Sequence, residues 1–300
     1  MLYSHFYLYG LGGIPTLLYL LAQPPWAIKC LLACHAARPD PEENIMQIKT
    51  WTMLTLAALL AGQAQAGDTL RVATDGTFPP YSVVAPDGKL SGFDVDIANA
   101  LCTEMKAKCE IMRYDFDGMI PALNARKFDL IVASMAITPE REKAVAFSAK
   151  YEGGYSQFLG KKGIQLTGTP AGMKGKTLGV QQGTIQEKYA KDVFGKAGAK
   201  VRSYSTPANA LLDLNAGRVD AIMVEIGVGT EFLKGPGGNK LSLFGPKFND
   251  VKYFGTGSGI AMRKADQALL QKVNTALAAI LKNGTYKKIN DRYFDYNQYD

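Results

Sequence analysis

The chain has 300 residues, of which 47% are hydrophobic and 20% are charged, and its formal net charge is +7. This length and composition fit a globular protein of one or two domains and exclude a disordered or low-complexity chain. Both histidines, both tryptophans and two of the four cysteines lie within the first 51 positions. The rest of the chain therefore cannot support catalysis or zinc binding that relies on imidazole.

Residues 46–66 have the three-part organisation of a secretory signal peptide. Lys49 provides the positive start, and the apolar stretch 53–61 that follows is too short to span a bilayer. Small residues flank a glutamine at the end of the segment, as at a signal-peptidase site. We therefore expect export to the periplasm, with cleavage after Ala66.

Residues 1–45 leave two interpretations open. The uncharged stretch 6–22 is about long enough for a membrane anchor. Alternatively Met46 is the true start and the upstream segment is a spurious extension, which we favour because a complete export signal follows directly. Removing residues 1–66 takes away three charges of each sign, so the mature chain keeps +7. Its lysines and arginines are scattered rather than clustered, which argues against nucleic-acid binding.

Strands and helices alternate along the first part of the mature chain. Apolar residues recur at helical spacing over 93–105, and Thr138 followed by Pro139 has the form of a capped helix start. This alternation predicts an α/β layer with parallel strands. The predicted strands are 70–74, 110–113 and 128–133, and the predicted helices are 93–105 and 116–124.

Cys102 and Cys109 are the only cysteines after the export signal, and they flank the end of the first predicted helix. An oxidising compartment favours a disulfide between them over free thiols. A metal site would need further thiolate or imidazole ligands, which this part of the sequence does not offer, so no metal and no cofactor is expected.

A second alternation of strands and helices begins after residue 158. Two α/β units joined near residues 151–155, with a cleft between them, are therefore expected, and clefts of this kind bind small molecules. The predicted strands are 177–181, 201–204, 219–224 and 259–262, and the predicted helices are 184–193, 207–215, 264–282 and 285–293.

Three separated motifs carry a resemblance to a known family. They are GFDVDIANALC at 92–102, DFDGMIPALNARKFDLIVASMAITPER at 115–141 and GVQQGTIQE at 179–187. In this order and spacing they resemble the periplasmic solute-binding proteins of polar amino acid ABC importers (family 3), particularly the lysine/arginine/ornithine- and histidine-binding proteins. The resemblance covers residues 68–300.

The resemblance implies a two-lobed periplasmic binding protein of type II, a Venus-flytrap fold with two crossovers between α/β lobes. Lobe 1 would comprise residues 67–152 and 250–300, and lobe 2 would comprise residues 153–249. Such a protein captures a basic L-amino acid (arginine, lysine, ornithine or histidine) in the cleft and delivers it to a membrane permease. It needs no catalytic residue, and we expect a monomer.

The resemblance also assigns roles to individual residues. Arg141 would grip the α-carboxylate with its planar guanidinium, because that group forms paired hydrogen bonds with carboxylates. Glu225 would pair with the α-ammonium group and Asp75 with a cation at the far end of the side chain. Phe78 and Phe116 would sandwich the ligand's stem. The other positions expected to line the site are Ala133, Ser134, Ala136, Gln181, Thr184 and Ile185.

This sequence departs from the family pattern at several of these positions. At the positions of Ala133 and Ala136 the family often has residues with a hydroxyl group. It often has Asp where this chain has Glu225, and an apolar residue where this chain has Gln181. The family also often has Tyr where this chain has Phe78, and Thr where it has Ile185. The preferred amino acid, or an opine in its place, therefore stays open.

Two other functions stay open as well. One is an enzyme on the same scaffold, such as a cyclohexadienyl dehydratase with a general acid in the cleft. The other is a sensor domain that passes ligand occupancy to a membrane receptor.

Overall fold

The computed structural model describes residues 69–300, so the predicted signal peptide and the segment before it lie outside the described residues. Thirteen strands and nine α-helices follow one another in this part of the chain. The strands are β1 (Thr69–Thr74), β2 (Thr77–Phe78), β3 (Ser82–Val84), β4 (Leu90–Ser91), β5 (Lys108–Arg113), β6 (Leu130–Ile131), β7 (Ala146–Glu152), β8 (Ser156–Lys161), β9 (Thr177–Gln181), β10 (Lys200–Tyr204), β11 (Ala221–Glu225), β12 (Leu241–Phe248) and β13 (Ser258–Met262). The helices are α1 (Phe93–Glu104), α2 (Met119–Asn124), α3 (Pro139–Glu142), α4 (Ile185–Tyr189), α5 (Pro207–Asn215), α6 (Ile226–Lys234), α7 (Val251–Phe254), α8 (Gln267–Lys282) and α9 (Thr285–Tyr293).

Two five-stranded sheets form the centres of two lobes. The first has the order β5-β1-β6-β13-β7, and the second has the order β10-β9-β11-β8-β12. The chain passes from the first sheet to the second between β7 and β8, and it returns between β12 and β13. The expected two-lobed α/β fold with two crossovers is therefore confirmed.

The strands predicted in the first part of the chain, β1, β5 and β6, pair in parallel as expected, whereas each complete sheet is mixed. Parallel pairing holds where a helix connects the strands, as between β1 and β5 and between β9 and β10. In the first sheet β13 runs antiparallel to β6 and β7, and in the second β8 runs antiparallel to β11 and β12. The reversed strands are those next to the two crossovers, where the chain enters each sheet from the other lobe rather than over a helix of the same lobe.

The predicted lobe boundaries stay a proposal, and the packing of α7 bears on one of them. This short helix packs on α4 of the second lobe. Its last residue, Phe254, belongs to an apolar cluster with Phe194 and Phe248, whose rings meet edge to face. These contacts favour a second crossover after residue 254 rather than at residue 250.

Local sequence signals explain several element ends. Thr138 caps α3, where its Oγ1 accepts a hydrogen bond of 3.3 Å from the backbone N–H of Arg141, and Pro139 occupies the first turn. The disulfide between Cys102 and Cys109 joins α1 to β5, as predicted, with 6.1 Å between the two Cα atoms. Within residues 69–300 no helix combines the length and the apolar character needed to cross a bilayer.

Candidate functional site

A cavity of about 80 Å³ lies between the two lobes. That volume holds on the order of six water molecules, so it suits one small molecule rather than a polymer. Ten of the eleven side chains predicted from the sequence line it: Phe78, Phe116, Ala133, Ser134, Ala136, Arg141, Gln181, Thr184, Ile185 and Glu225. The structure thus brings these residues together, while their roles toward a ligand stay predictions.

Arg141 lies at the start of α3 on the first-lobe side of the cavity. Its guanidinium donates hydrogen bonds to the carbonyl oxygens of Ala136, at 3.0 Å, and of Gly183 in the second lobe, at 3.1 Å. The ring of Phe116 lies beside it, with 5.4 Å between the guanidinium carbon and the ring centroid. Burial lowers the pKa of Arg141 to about 10, so the group stays charged at neutral pH. Held at a fixed place without a carboxylate partner, it is suited to bind an anionic group.

Ser134 lies after β6 in a left-handed backbone conformation, with φ of 46°. Its hydroxyl donates to Asp94 Oδ2 at 3.0 Å, and its backbone N–H donates to the hydroxyl of Tyr151 at 2.9 Å. Tyr151 in turn donates to Asp94 Oδ1 at 2.6 Å. Burial raises the pKa of Asp94 to about 7. The Ser134 hydroxyl is therefore already engaged with Asp94 behind the cavity wall.

Thr184 and Ile185 begin helix α4 on the second-lobe side. Thr184 Oγ1 accepts from the backbone N–H of Glu187 at 3.1 Å and donates to the carbonyl of Gln181 at 2.7 Å. The preceding Gly183 has φ of 75°, and a side chain there would come within 2.7 Å of the Asp117 Cα. A glycine is required at this position because the two lobes approach each other so closely.

Glu225 ends β11 and caps helix α6. Its Oε2 accepts from the backbone N–H groups of Gly227, at 2.6 Å, and Val228, at 3.2 Å. The same oxygen accepts a 2.8 Å hydrogen bond from the hydroxyl of Tyr81 in the first lobe. Its other oxygen, Oε1, is buried without a partner, and burial raises the pKa of Glu225 to about 7. One carboxylate oxygen thus has a structural role, while the other is free for a ligand.

Asp75 is the one predicted residue that does not line the cavity. Its carboxylate is buried and accepts hydrogen bonds of 2.8 Å from Thr77 Oγ1 and from Gln181 Nε2. Burial raises the pKa of Asp75, although these hydrogen bonds oppose the rise. Gln181 crosses between the lobes to reach Asp75 and leaves its own Oε1 unpaired. Contact between Asp75 and a ligand remains a prediction. In this structure Asp75 is linked to the cavity by its hydrogen bond with Gln181, which lines it.

Several residues that line the cavity were not predicted from the sequence. Glu152 ends β7, Ser156 begins β8 and Tyr155 lies in the crossover between them, a segment that the sequence indicated only as a connection between lobes. Gln186 in α4 donates to Ser156 Oγ at 2.9 Å, and Ser258 begins β13. No local motif distinguishes these positions, because what brings them to the cavity is the pairing of distant strands.

On the cavity wall, three buried polar atoms have no hydrogen-bond partner among residues 69–300: Glu152 Oε2, Gln181 Oε1 and Glu225 Oε1. All three accept hydrogen bonds when the two carboxyl groups are ionised, and they come from both lobes. Buried acceptors without partners are unfavourable unless a donor is supplied. Within residues 69–300 no group of acidic or cysteine side chains is arranged to hold a metal ion. An N–H donor of a bound small molecule would satisfy each of these oxygens.

Comparison with known proteins identifies a matching family and several similar proteins. Residues 70–296 match the bacterial extracellular solute-binding proteins, family 3. The chain is 42% identical over 247 residues to the L-arginine-binding protein of Pseudomonas aeruginosa, an alignment that covers 82% of this chain and 95% of that protein. It is 37% identical over 259 residues to the lysine/arginine/ornithine-binding periplasmic protein of Escherichia coli, covering 86% of this chain and 99% of that protein.

A solved structure with the same fold bears on the enzyme alternative. It is an ancestral amino acid-binding protein described as a precursor of cyclohexadienyl dehydratase. The TM-score is 0.68 and the sequence identity 34%, over 76% of this chain and 96% of that one. The scaffold of this chain is therefore similar to one that binds amino acids and stands at the origin of an enzyme.

Proposed function

Because the chain belongs to family 3 of the bacterial extracellular solute-binding proteins, we propose that it captures a basic L-amino acid between its lobes and delivers it to the permease of an ABC importer. The observation that carries the proposal is the set of three unpaired buried acceptors on the cavity wall, opposite one guanidinium. An amino acid with a cationic side chain supplies a carboxylate for the guanidinium and N–H donors for every acceptor.

Each part of such a ligand has a matching group. We assign the α-carboxylate to Arg141 and the α-ammonium group to the free oxygen of Glu225. The side chain would extend along Phe116 and Phe78 toward Gln181, whose unpaired oxygen accepts from a guanidinium or ammonium group. The negative charge of Asp75 behind Gln181 adds to the preference for a cation. Arginine fits best, because its guanidinium can both stack on an aromatic ring and donate several hydrogen bonds.

Contacts across the cavity support closure of the lobes over the ligand. Tyr81 in the first lobe donates to Glu225 in the second, and Arg141 in the first donates to the carbonyl of Gly183 in the second. A ligand that contacts both walls adds to these bonds only when the lobes are together. It therefore shifts the equilibrium toward the closed arrangement, the state that we expect the permease to bind.

We also propose that the protein is not an enzyme. Burial gives Glu225 a pKa of about 7, so a proton donor exists in the cavity, and acid chemistry alone does not separate binding from dehydration. The named relatives are binding proteins, which favours binding. Incubation of the purified protein with prephenate or arogenate should give no product, and turnover would favour the dehydratase alternative.

The proposal extends to location and assembly. Members of this family are extracellular proteins, so an extracytoplasmic location follows from the family. We propose that a signal peptide directs the chain to the periplasm, that cleavage follows Ala66, and that the mature protein is a monomer. Sequencing the amino terminus of the exported protein and measuring its mass by light scattering test these statements.

A thermal-shift and calorimetry panel tests the function directly. Ligand should be removed first by unfolding and refolding, because a binding protein recovered from the periplasm can retain its amino acid. At a thousand times its Kd, a ligand adds about 4 kcal/mol of stability, which raises the Tm of a protein of this size by about 8–16 °C. Arginine, lysine or ornithine should do so.

Citrulline is the matched control ligand, because it has the length of arginine but no side-chain charge. It should bind at least 10-fold more weakly than arginine. If no basic amino acid stabilises the protein, the proposed function is wrong.

A further inference from the structure

Glu152 carries one of the three unpaired acceptors, and the proposed binding mode assigns it no particular group of the ligand. It is the last residue of β7, directly before the crossover to the second lobe, and its side chain lines the cavity with 1% of its surface exposed. Its Oε1 accepts a long hydrogen bond of 3.4 Å from Ser258 Oγ, and its Oε2 has no partner. The protein therefore satisfies little of the hydrogen-bonding capacity of this carboxylate.

The groups that act most strongly on the carboxyl group of Glu152 are the carboxylates of Asp94 and Glu225 and the hydroxyls of Ser134 and Ser258. No ion pair among residues 69–300 includes it, in contrast to Asp129, which pairs with two arginines. Burial and repulsion by two neighbouring carboxylates raise the pKa of Glu152 well above its ordinary value. The titratable groups that interact with it are Asp94 of α1, Glu225 of β11, Tyr151 of β7, Tyr286 of α9, and Tyr81 and Tyr296 of two loops.

A structural role does not explain an acid at this position. A buried carboxylate without a cation is strongly unfavourable, and a glutamine or an apolar side chain would fill the same space without that cost. Burial and repulsion by the neighbouring carboxylates favour the neutral, protonated form of the group in the empty protein. When the cavity is filled, a cation from the ligand can balance the charge, because Glu152 Oε2 of the first lobe and Glu225 Oε1 of the second lobe both line the cavity without a partner among the described residues.

We propose that Glu152 is a second carboxylate for the ligand's ammonium group, which it binds together with Glu225 after releasing its own proton to solvent. This inference rests on the proposed function, because it requires a ligand with a cationic group. The protonated carboxyl loses its proton, and the resulting carboxylate pairs with the ammonium group, so charge balances. Glu152 is thus a specificity residue that disfavours ligands whose α-amine is acylated.

Calorimetry in buffers of different ionisation enthalpy counts the protons released on arginine binding. At about pH 8 Glu225 is largely ionised before binding, so release at that pH reports mainly on Glu152. The unchanged protein should release a substantial fraction of one proton at about pH 8. The variant Glu152→Gln should release almost none, and its Kd for arginine should rise about 10- to 100-fold.

Glu110→Gln is the matched control, because it makes the same chemical change at an exposed position of β5 outside the cavity. It should leave both the proton count and the affinity unchanged. A purely structural effect of Glu152→Gln would weaken binding without changing the number of protons released per arginine bound.

The outcomes separate the two proposals. If the unchanged protein does not bind a basic amino acid, the proposed function fails and the inference fails with it. If it binds arginine and Glu152→Gln has the same affinity and proton release, only the inference about Glu152 is wrong. Should the variant not fold, the proton count of the unchanged protein is sufficient, because absence of release at about pH 8 overturns the inference.

Discussion

Two substitutions of Glu225 separate its helix-capping role from its proposed ligand-binding role. Oε2 accepts from two backbone N–H groups of α6 and from the Tyr81 hydroxyl, whereas Oε1 has no partner. Glu225→Gln keeps the shape of the side chain and one acceptor oxygen for the cap, but it removes the charge. Glu225→Ala removes both the cap and the charge.

The two substitutions should therefore differ in stability but agree in affinity. A charge-assisted hydrogen bond to an ammonium group contributes about 1.5–3 kcal/mol, so either change should raise the Kd for arginine roughly 10- to 150-fold. Loss of the cap costs about 1 kcal/mol, which lowers the Tm of the ligand-free Glu225→Ala protein by about 2–4 °C. Glu225→Gln should stay near the unchanged protein in Tm.

The pH dependence provides a second measurement on the same residue. Because burial raises the pKa of Glu225 from 4.5 to about 7, its protonated form is favoured in the empty protein. Its contribution to ligand-free stability is fully present below about pH 4.5 and is lost as the pH rises through about 7. Arginine binding, which needs the ionised form, should instead strengthen as the pH rises from about 6 to 8.

Calorimetry with arginine and thermal unfolding across this pH range check the reasoning. In Glu225→Gln both pH dependences should be weaker than in the unchanged protein. Arginine affinity that is unchanged in Glu225→Gln would show that the carboxylate serves only as a helix cap, and the assignment of the ammonium site would then be wrong.

Three further predictions concern the other wall groups and the disulfide. Arg141→Ala should abolish detectable binding of arginine by calorimetry, since no other basic side chain among the described residues lines the cavity; unchanged affinity would refute its role. Asp75→Asn should reduce the affinity for arginine about 10-fold more than the affinity for glutamine, because the negative charge behind Gln181 is lost and the Gln181 amide is no longer held in one orientation. Equal losses of affinity for the two ligands would contradict a role of Asp75 in cation selection. Cys102→Ser together with Cys109→Ser should lower the free energy of unfolding by about 2–3 kcal/mol, measured with denaturant, and should leave arginine affinity nearly unchanged, as the cysteines do not line the cavity.

Local sequence patterns were sufficient to predict a helix whose start combines a capping hydroxyl with a proline. Thr138 with Pro139 marks a helix start through a capping hydroxyl and a fixed proline φ, and the helix appears in the structure where these residues predict it. Strands β7, β8 and β12 were missed. They are paired antiparallel with strands distant in the sequence, and their composition alone does not distinguish them from loops.

In the candidate site, too, residues with a local sequence signal were predicted and residues brought in by distant strand pairing were not. The family resemblance located ten of the cavity's lining residues, because the chemistry of Arg141 and Glu225 is visible in the residue type and its place after a strand. Glu152 and Ser258 carry no comparable local signal, since they meet only through the pairing of β7 with β13. The unpaired state of an oxygen is likewise a property of three-dimensional packing.

The sequence by itself determined the family, the two-lobed α/β architecture, the disulfide and most of the residues around the cleft, because these depend on residue type and on order along the chain. Only the tertiary structure decided that Asp75 faces Gln181 rather than the cavity and that Glu225 divides its two oxygens between a helix cap and open space. It also decided that Glu152 is buried among acids without a cation. The physical reason is that hydrogen-bond partners and burial are set by residues more than a hundred positions apart, which meet only when the two sheets and their crossovers have formed.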